Sequence, residues 1–232
     1  MRKDLFTVGS YVHVFNRGHR KMPIVREISD KWRFLKMLYY FNDENAIDNW
    51  DRELQKYNIS LFGRPKHWPN QKPLVIILAY CLMENHYHLL LKEIQKNGIS
   101  RFMRKLGTGM TNYFNTKYKE VGTLFQGSYK ARRVDKDMYL RDLSVYIQVK
   151  NPFELYPRGL QKAIEEFDKA YNFAQTYNFC SLADYSGKRK SPIVNKELLG
   201  KLFSKPSEYK KFSYDSMIAR KTDDFLGDLT ID

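Results

Sequence analysis

His86 and His88 are the residues whose type and spacing first suggest chemistry. They sit in the run His86-Tyr87-His88-Leu89-Leu90. Alternate residues of a β-strand project from one face, so a strand here places both imidazoles together, with Tyr87 and Leu89 on the opposite side. Two imidazoles so arranged can hold a divalent ion, completed by an oxygen ligand from elsewhere in the chain. Such an ion would polarise a phosphoryl oxygen. A His-x-His pair is also common as plain structure, and the pair alone does not decide. Tyrosines supply hydroxyl nucleophiles. Tyr139 and Tyr146 are seven residues apart in a helical run and share roughly one face. Tyr113 and Tyr118 lie on an earlier helix. Spacing alone leaves all of them open.

The elements that must position these groups follow from periodicity. Residues 10–16 (SYVHVFN) alternate as a strand, with Tyr11, His13 and Phe15 on one face. His13 reads as a satisfied structural histidine. Ser29 is expected to cap a helix over SDKWRFLKMLYYFNDEN. Residues 46–73 read as a basic connector with room for a short helix. Residues 74–83 (LVIILAYCLM) form an apolar run suited to a buried central strand. Glu84-Asn85 is the turn, and His86 to Lys92 returns as the second strand of a hairpin. Ser100 is expected to cap the next long helix, which Gly107 and Gly109 weaken. Residues 122–127 read as a loop and 128–135 as a strand. A helix capped by Asp137 runs to about Lys150 and is expected to stop at Asn151-Pro152. The order is β-α-β-β-α-β followed by a helix. It predicts an α+β, ferredoxin-like split unit with an antiparallel sheet and two helices on one face. Beyond Pro157 a helix over 160–177 and two short helices near 195–203 and 206–220 are expected. The acidic end, Lys221 to Asp232, is expected to fray. We therefore divide the chain at residue 156: a catalytic-type domain over 1–156, and a helical, partly basic extension over 157–232.

Composition narrows the partner. The chain has 232 residues, a formal charge of +14 and a pI near 9.6. Such a surface attracts a polyanion, and nucleic acid is the commonest. The 17 Tyr and 15 Phe offer rings for base stacking, although most are expected in the core. Cys81 is expected as a buried thiol, and two cysteines make no disulfide framework. No apolar run is long enough for a membrane span, and no signal-peptide pattern opens the chain, so the expected location is the cytoplasm.

Six blocks in order carry a resemblance. They are His13-Val14-Phe15-Asn16-Arg17-Gly18, Met83 to Leu90, Tyr113-Phe114-Asn115, Leu124-Phe125-Gln126-Gly127, Tyr146-Ile147-Gln148 and Asn151-Pro152. Over about residues 8–156 the chain resembles the REP-associated tyrosine transposases of the HUH single-strand nucleases. The resemblance implies a metal-dependent single-strand DNA endonuclease and strand-transferase that acts near DNA hairpins through a 5′-phosphotyrosine. It implies His86 and His88 as metal ligands and Tyr146 as the nucleophile; by helical spacing alone Tyr139 stays its rival, and Mg²⁺ or Mn²⁺ suits a mixed His/oxygen site serving phosphate chemistry. Relatives carry Gln or Asn four residues after the nucleophile as a third ligand. Here that position is Lys150, whose ammonium cannot coordinate. We expect Asn151 to replace it by leaving helical geometry before Pro152 and turning back to the metal. Gln148 is the weaker substitute, and Lys150 would instead contact phosphate. Candidate DNA contacts are Asn16, Arg17, Arg20, Arg104, Gln126, Lys130, Arg132, Arg133 and Lys150. Such relatives include monomers and dimers. The competing readings are a non-catalytic DNA-hairpin-binding regulator and an RNA-binding module on the same fold. A zinc hydrolase is the remotest, since the HExxH spacing is absent.

Overall fold

A computed structural model describes residues 6–45, 47, 49–135 and 137–219. The expectation for residues 221–232 lies outside them. β1 (Tyr11–Arg17) leads through a 3₁₀ turn (His19–Lys21) to α1 (Ile28–Tyr40), and α2 (Trp50–Lys56) sits in the basic connector. β2 (Val75–Leu82) and β3 (His86–Glu93) form the hairpin, and α3 (Gly98–Tyr118) follows. β4 (Lys130–Val134) closes the sheet, whose strand order is β2-β3-β1-β4 with every pair antiparallel. This is the split arrangement that the sequence predicts: β1 and β2 run the same way with β3 between them.

Beyond the sheet come α4 (Asp137–Val145), a π-helical turn (Tyr146–Lys150) and α5 (Asn151–Phe153). Then follow α6 (Gly159–Glu165), α7 (Phe167–Thr176), α8 (Leu182–Tyr185), α9 (Glu197–Leu202) and α10 (Pro206–Ile218). The single helix expected over 160–177 is two, because Glu166 leaves helical geometry at φ −105°, ψ 42°. α8 has no sequence signal of its own.

Because residues alternate across a strand, the sheet feeds two cores. Val12, Val14, Tyr87, Leu89 and Leu91 face α1 and α3, where Phe34, Leu38, Phe102 and Leu106 meet them. Phe15, Leu78, Cys81 and Leu90 face the other side, under Leu143, Ile147, Phe153, Phe167, Tyr171 and Tyr209. The helices after residue 157 thus share a core with the sheet. They also close its edge: the Leu82 amide donates to the Phe179 carbonyl and the Ser181 amide to the Tyr80 carbonyl, each at 2.9 Å.

Three local expectations are corrected. α1 is capped at Glu27, not Ser29, in a capping box with Asp30, whose Oδ2 also accepts the Arg26 and Glu27 amides. α3 is capped at Asn97, not Ser100. Asn97 adopts φ 58°, a conformation asparagine tolerates, and Gly98 follows where a Cβ would lie 2.2 Å from the Leu74 carbonyl oxygen. The third concerns Asn151. It stays helical at φ −59°, ψ −51°, and the helix continues through Pro152 to Phe153. A wider turn just before the proline loosens the contact between its ring and the preceding carbonyls. The Cys180 thiol faces two of those carbonyls, Ile147 at 3.9 Å and Gln148 at 3.5 Å.

Candidate metal and nucleophile site

β3 places His86 and His88 on the face that meets the π-turn, with Tyr87 buried on the other face. The two imidazole centroids are 5.2 Å apart. His13 arrives on the same face from β1: Phe15 stands opposite His88 and His13 opposite Leu90, so His13 is the diagonal neighbour of His88. His13 Nε2 and His88 Nδ1 are 2.9 Å apart, and both side chains are fully buried. Burial pushes the His13 imidazole down to about 3. Burial, then the neighbouring His13 and His86, hold His88 well below its ordinary value.

Tyr146 opens the π-turn, and its ring lies edge-on to His88 at 5.1 Å between centroids. The π-turn sets where Asn151 lies relative to Tyr146. Asn151 is five residues after Tyr146, and its backbone amide donates to the Tyr146 carbonyl, the bond of a π-helix. Five residues span this wider turn as four span an α-turn, so Asn151 falls on the face of Tyr146 and its Oδ1 lies 3.5 Å from His86 Nε2. Its Nδ2 donates to the Tyr146 carbonyl at 2.8 Å, which aims the oxygen at the imidazole. Asn151 thus reaches the histidines by a widened helix and not by leaving helical geometry.

The donor set fits a cation. Asn85 Nδ2 donates to the Lys21 carbonyl, so Asn85 Oδ1 is the atom facing His86 Nδ1 at 2.7 Å. His86 Nε2, the other ring nitrogen, lies 3.5 Å from the Asn151 oxygen. His88 Nε2 is buried without a hydrogen-bond partner. A divalent ion there would satisfy it, with His86 and the Asn151 oxygen close by. Among the described residues no group of three or more His, Cys, Asp or Glu side chains is arranged to hold a metal.

The other candidates fall in several places. Gln148 points away from the histidines: its amide donates to Tyr209 Oη at 2.9 Å and accepts from Ser181 Oγ at 2.8 Å. Lys150 is buried and pairs with Glu154 at 2.8 Å, its ammonium 5.2 Å from the Tyr146 ring centre. Tyr139 is partly buried, and its hydroxyl has no hydrogen-bond partner. Tyr113 and Tyr118 belong to a different cluster, where both hydroxyls donate to the Asp30 carboxylate.

Lys130 and Arg132 pair with Phe15 and His13, so they flank the histidine face. Arg133 pairs with Val12 on the opposite face and bonds Asp135 at 2.6 Å. Asn16 shapes a loop, its Nδ2 donating to the Gly127 carbonyl and its Oδ1 accepting from the Arg17 amide. The Gln126 amide donates to the Arg17 carbonyl, while the Gln126 and Arg20 side chains are exposed. Asn16 and Arg104 line a groove of about 480 Å³ between α3 and residues 122–129. The missed participants are His13, a lone histidine in a strand, and Glu154, one of many surface carboxylates.

Residues 70–150 match the family model described as Transposase IS200 like. The match covers β2, β3, the histidine pair and Tyr146, and the family-level resemblance carried by the motifs stands. It supports a transposase-like role in general terms. No curated protein matches the chain. Among solved structures, one described as the structure of a REP-associated tyrosine transposase bound to a REP hairpin is 14% identical, covering 83% of this chain and 88% of that one at a TM-score of 0.48. No helix among the described residues is long and apolar enough to cross a membrane.

Proposed function

We propose that this chain is a metal-dependent single-strand DNA endonuclease and strand-transferase acting beside DNA hairpins, with Tyr146 as nucleophile. The observation that carries the reading is the convergence on one buried face of the Tyr146 ring, the two imidazoles and the Asn151 amide. His86, His88 and Asn151 would hold Mg²⁺ or Mn²⁺, which when bound would supply positive charge to a phosphoryl oxygen. Tyr146 Oη attacks the phosphorus, a Tyr–O–P bond forms, and the P–O3′ bond breaks. The phenol gives up its proton and the departing 3′-oxygen takes one. The reverse attack by a 3′-hydroxyl rejoins DNA, so the phosphodiester energy is kept and no nucleotide cofactor is needed. The Lys150 ammonium, held by Glu154 beside the phenol, stabilises negative charge developing there. Lys130 and Arg132 on the adjoining edge strand draw in the phosphate backbone.

The test is a hairpin-bearing single strand incubated with protein and Mn²⁺, then run under denaturing conditions. A covalent protein–DNA adduct is expected with wild type and Tyr139→Phe and is lost with Tyr146→Phe. Loss with Tyr139→Phe alone would overturn the nucleophile. Hairpin binding without any adduct would favour the non-catalytic regulator, whose main support is the lysine four residues after Tyr146; the Asn151 oxygen 3.5 Å from His86 Nε2 supports the catalytic reading.

A further inference from the structure

A hydrogen bond between two imidazoles has two possible directions, and the direction decides what the far nitrogen of each ring can do. If His88 donates from Nδ1, its Nε2 keeps a lone pair and can coordinate. If His13 donates from Nε2, His88 must carry its own proton on Nε2, and a proton then points where a cation would sit. The pair is sealed: both side chains are fully buried, Phe15 lies 4.9 Å from His13 and 5.7 Å from His88 between ring centres, and Tyr146 closes over them. The outer nitrogens, His13 Nδ1 and His88 Nε2, have no hydrogen-bond partner. A cation at His88 Nε2 satisfies one of these two orphans only in the first arrangement. In the second, both stay unsatisfied and the cation meets an N–H.

We infer that His13 is a positioning residue for the metal site: its Nε2 accepts the Nδ1 proton of His88 and so commits His88 Nε2, in the ring beside Tyr146, to a lone pair. The inference rests on the reading of His86 and His88 as metal ligands. Asn85 does for His86 what His13 does for His88, since its Oδ1 takes the Nδ1 proton of that ring. The two ligands are then set by two different acceptors, one a short amide beside the turn and one an imidazole reached across the sheet. Outer partners of this kind orient a ligating imidazole and raise its basicity.

The experiment measures Mn²⁺ affinity by the paramagnetic resonance signal of the free ion, without DNA, for wild type, His86→Ala, His13→Phe and His13→Gln. Melting temperatures identify variants that fold. His13→Phe keeps a flat ring but removes the acceptor, and it is expected to weaken Mn²⁺ binding by about 10–100-fold. His13→Gln presents an amide oxygen at similar reach and is expected to regain most of that loss. Equal affinity for wild type and His13→Phe overturns the inference, as does His13→Gln binding no better than His13→Phe. If wild type binds no better than His86→Ala, the metal-site reading itself has failed and the inference falls with it. A second measurement needs no variant: ¹⁵N spectra of the Mg²⁺-loaded protein should show His88 protonated on Nδ1, and a proton on Nε2 overturns the inference.

Discussion

At Asn151 one residue makes three commitments at once. Its backbone amide closes the π-turn, its Nδ2 holds the Tyr146 carbonyl, and its Oδ1 faces His86. Asn151→Ala keeps the first and loses the other two. Mn²⁺ affinity is expected to fall by at least about tenfold, with little change in hairpin binding measured without metal. Unchanged Mn²⁺ affinity would remove Asn151 from the site. Asp30 is the comparable residue on the far side of the sheet, and its work is stability. Its buried carboxylate accepts from two backbone amides, from Tyr113 and Tyr118, and from Lys117 at 2.6 Å. Burial alone would raise its pKa, but Lys117, Tyr118 and the amides outweigh it and hold the carboxyl well below its ordinary value. A depressed carboxylate contributes stability that is complete above its unfolded value of about 4 and is lost as pH falls below it. Denaturant midpoints should therefore decline below about pH 4. Asp30→Asn should cost roughly 3 kcal/mol at neutral pH, as expected when one partner of a buried ion pair is removed, and should flatten that decline.

Among the elements, the π-turn has the clearest consequence. It accommodates one extra residue, and Lys150 is the residue whose removal would restore a four-residue spacing between Tyr146 and the asparagine. Deleting Lys150 should convert the segment to plain α-helix, keep Mn²⁺ affinity within about threefold, and retain the adduct at a reduced rate. A deletion variant that folds yet loses Mn²⁺ would show that the wide turn itself is required. Gln148 anchors the same turn through Tyr209 and Ser181, and Tyr209 Oη reaches Ser144 at 3.3 Å. Gln148→Leu leaves those hydroxyls short of a partner and should destabilise by about 1–3 kcal/mol, seen in the denaturation midpoint. The strands, the hairpin turn and the two long helices were legible because their apolar periodicity is set by the same alternation that fills both cores. His86 and His88 were legible for that reason, since β3 is paired on both sides and its register cannot slip. The π-turn was not, because nothing in Tyr-Ile-Gln-Val-Lys-Asn-Pro marks a widened helix, and a proline ordinarily signals a stop. The caps misled for a similar reason: Ser29 and Ser100 are good caps locally, but Asp30 and the Asn97-Gly98 turn serve more distant partners.

Over the whole molecule, the helices after residue 157 share a core with the sheet. Ala163, Phe167, Ala170 and Tyr171 are buried against the same cluster as Phe15 and Leu90. Phe167→Ala should therefore cost about 3–5 kcal/mol and lower the melting temperature of the entire chain in one transition. A separate low-temperature transition would mean that the extension melts alone. The charge of +14 acts at this scale too. Lys130→Ala with Arg132→Ala should reduce the salt dependence of single-strand DNA binding by about 1.4 in log–log slope, if both meet phosphates.

The segment from Phe179 to Ser181 that hydrogen-bonds along β2 leaves β4 as the sheet's one unpaired outer strand among the described residues. A sheet grows into a filament only by joining two free margins head to tail, and this one has a single margin to offer. Two copies meeting there would finish as a pair, with nothing left to recruit a third. Lys130, Arg132 and Arg133 stud that margin and oppose even the pair.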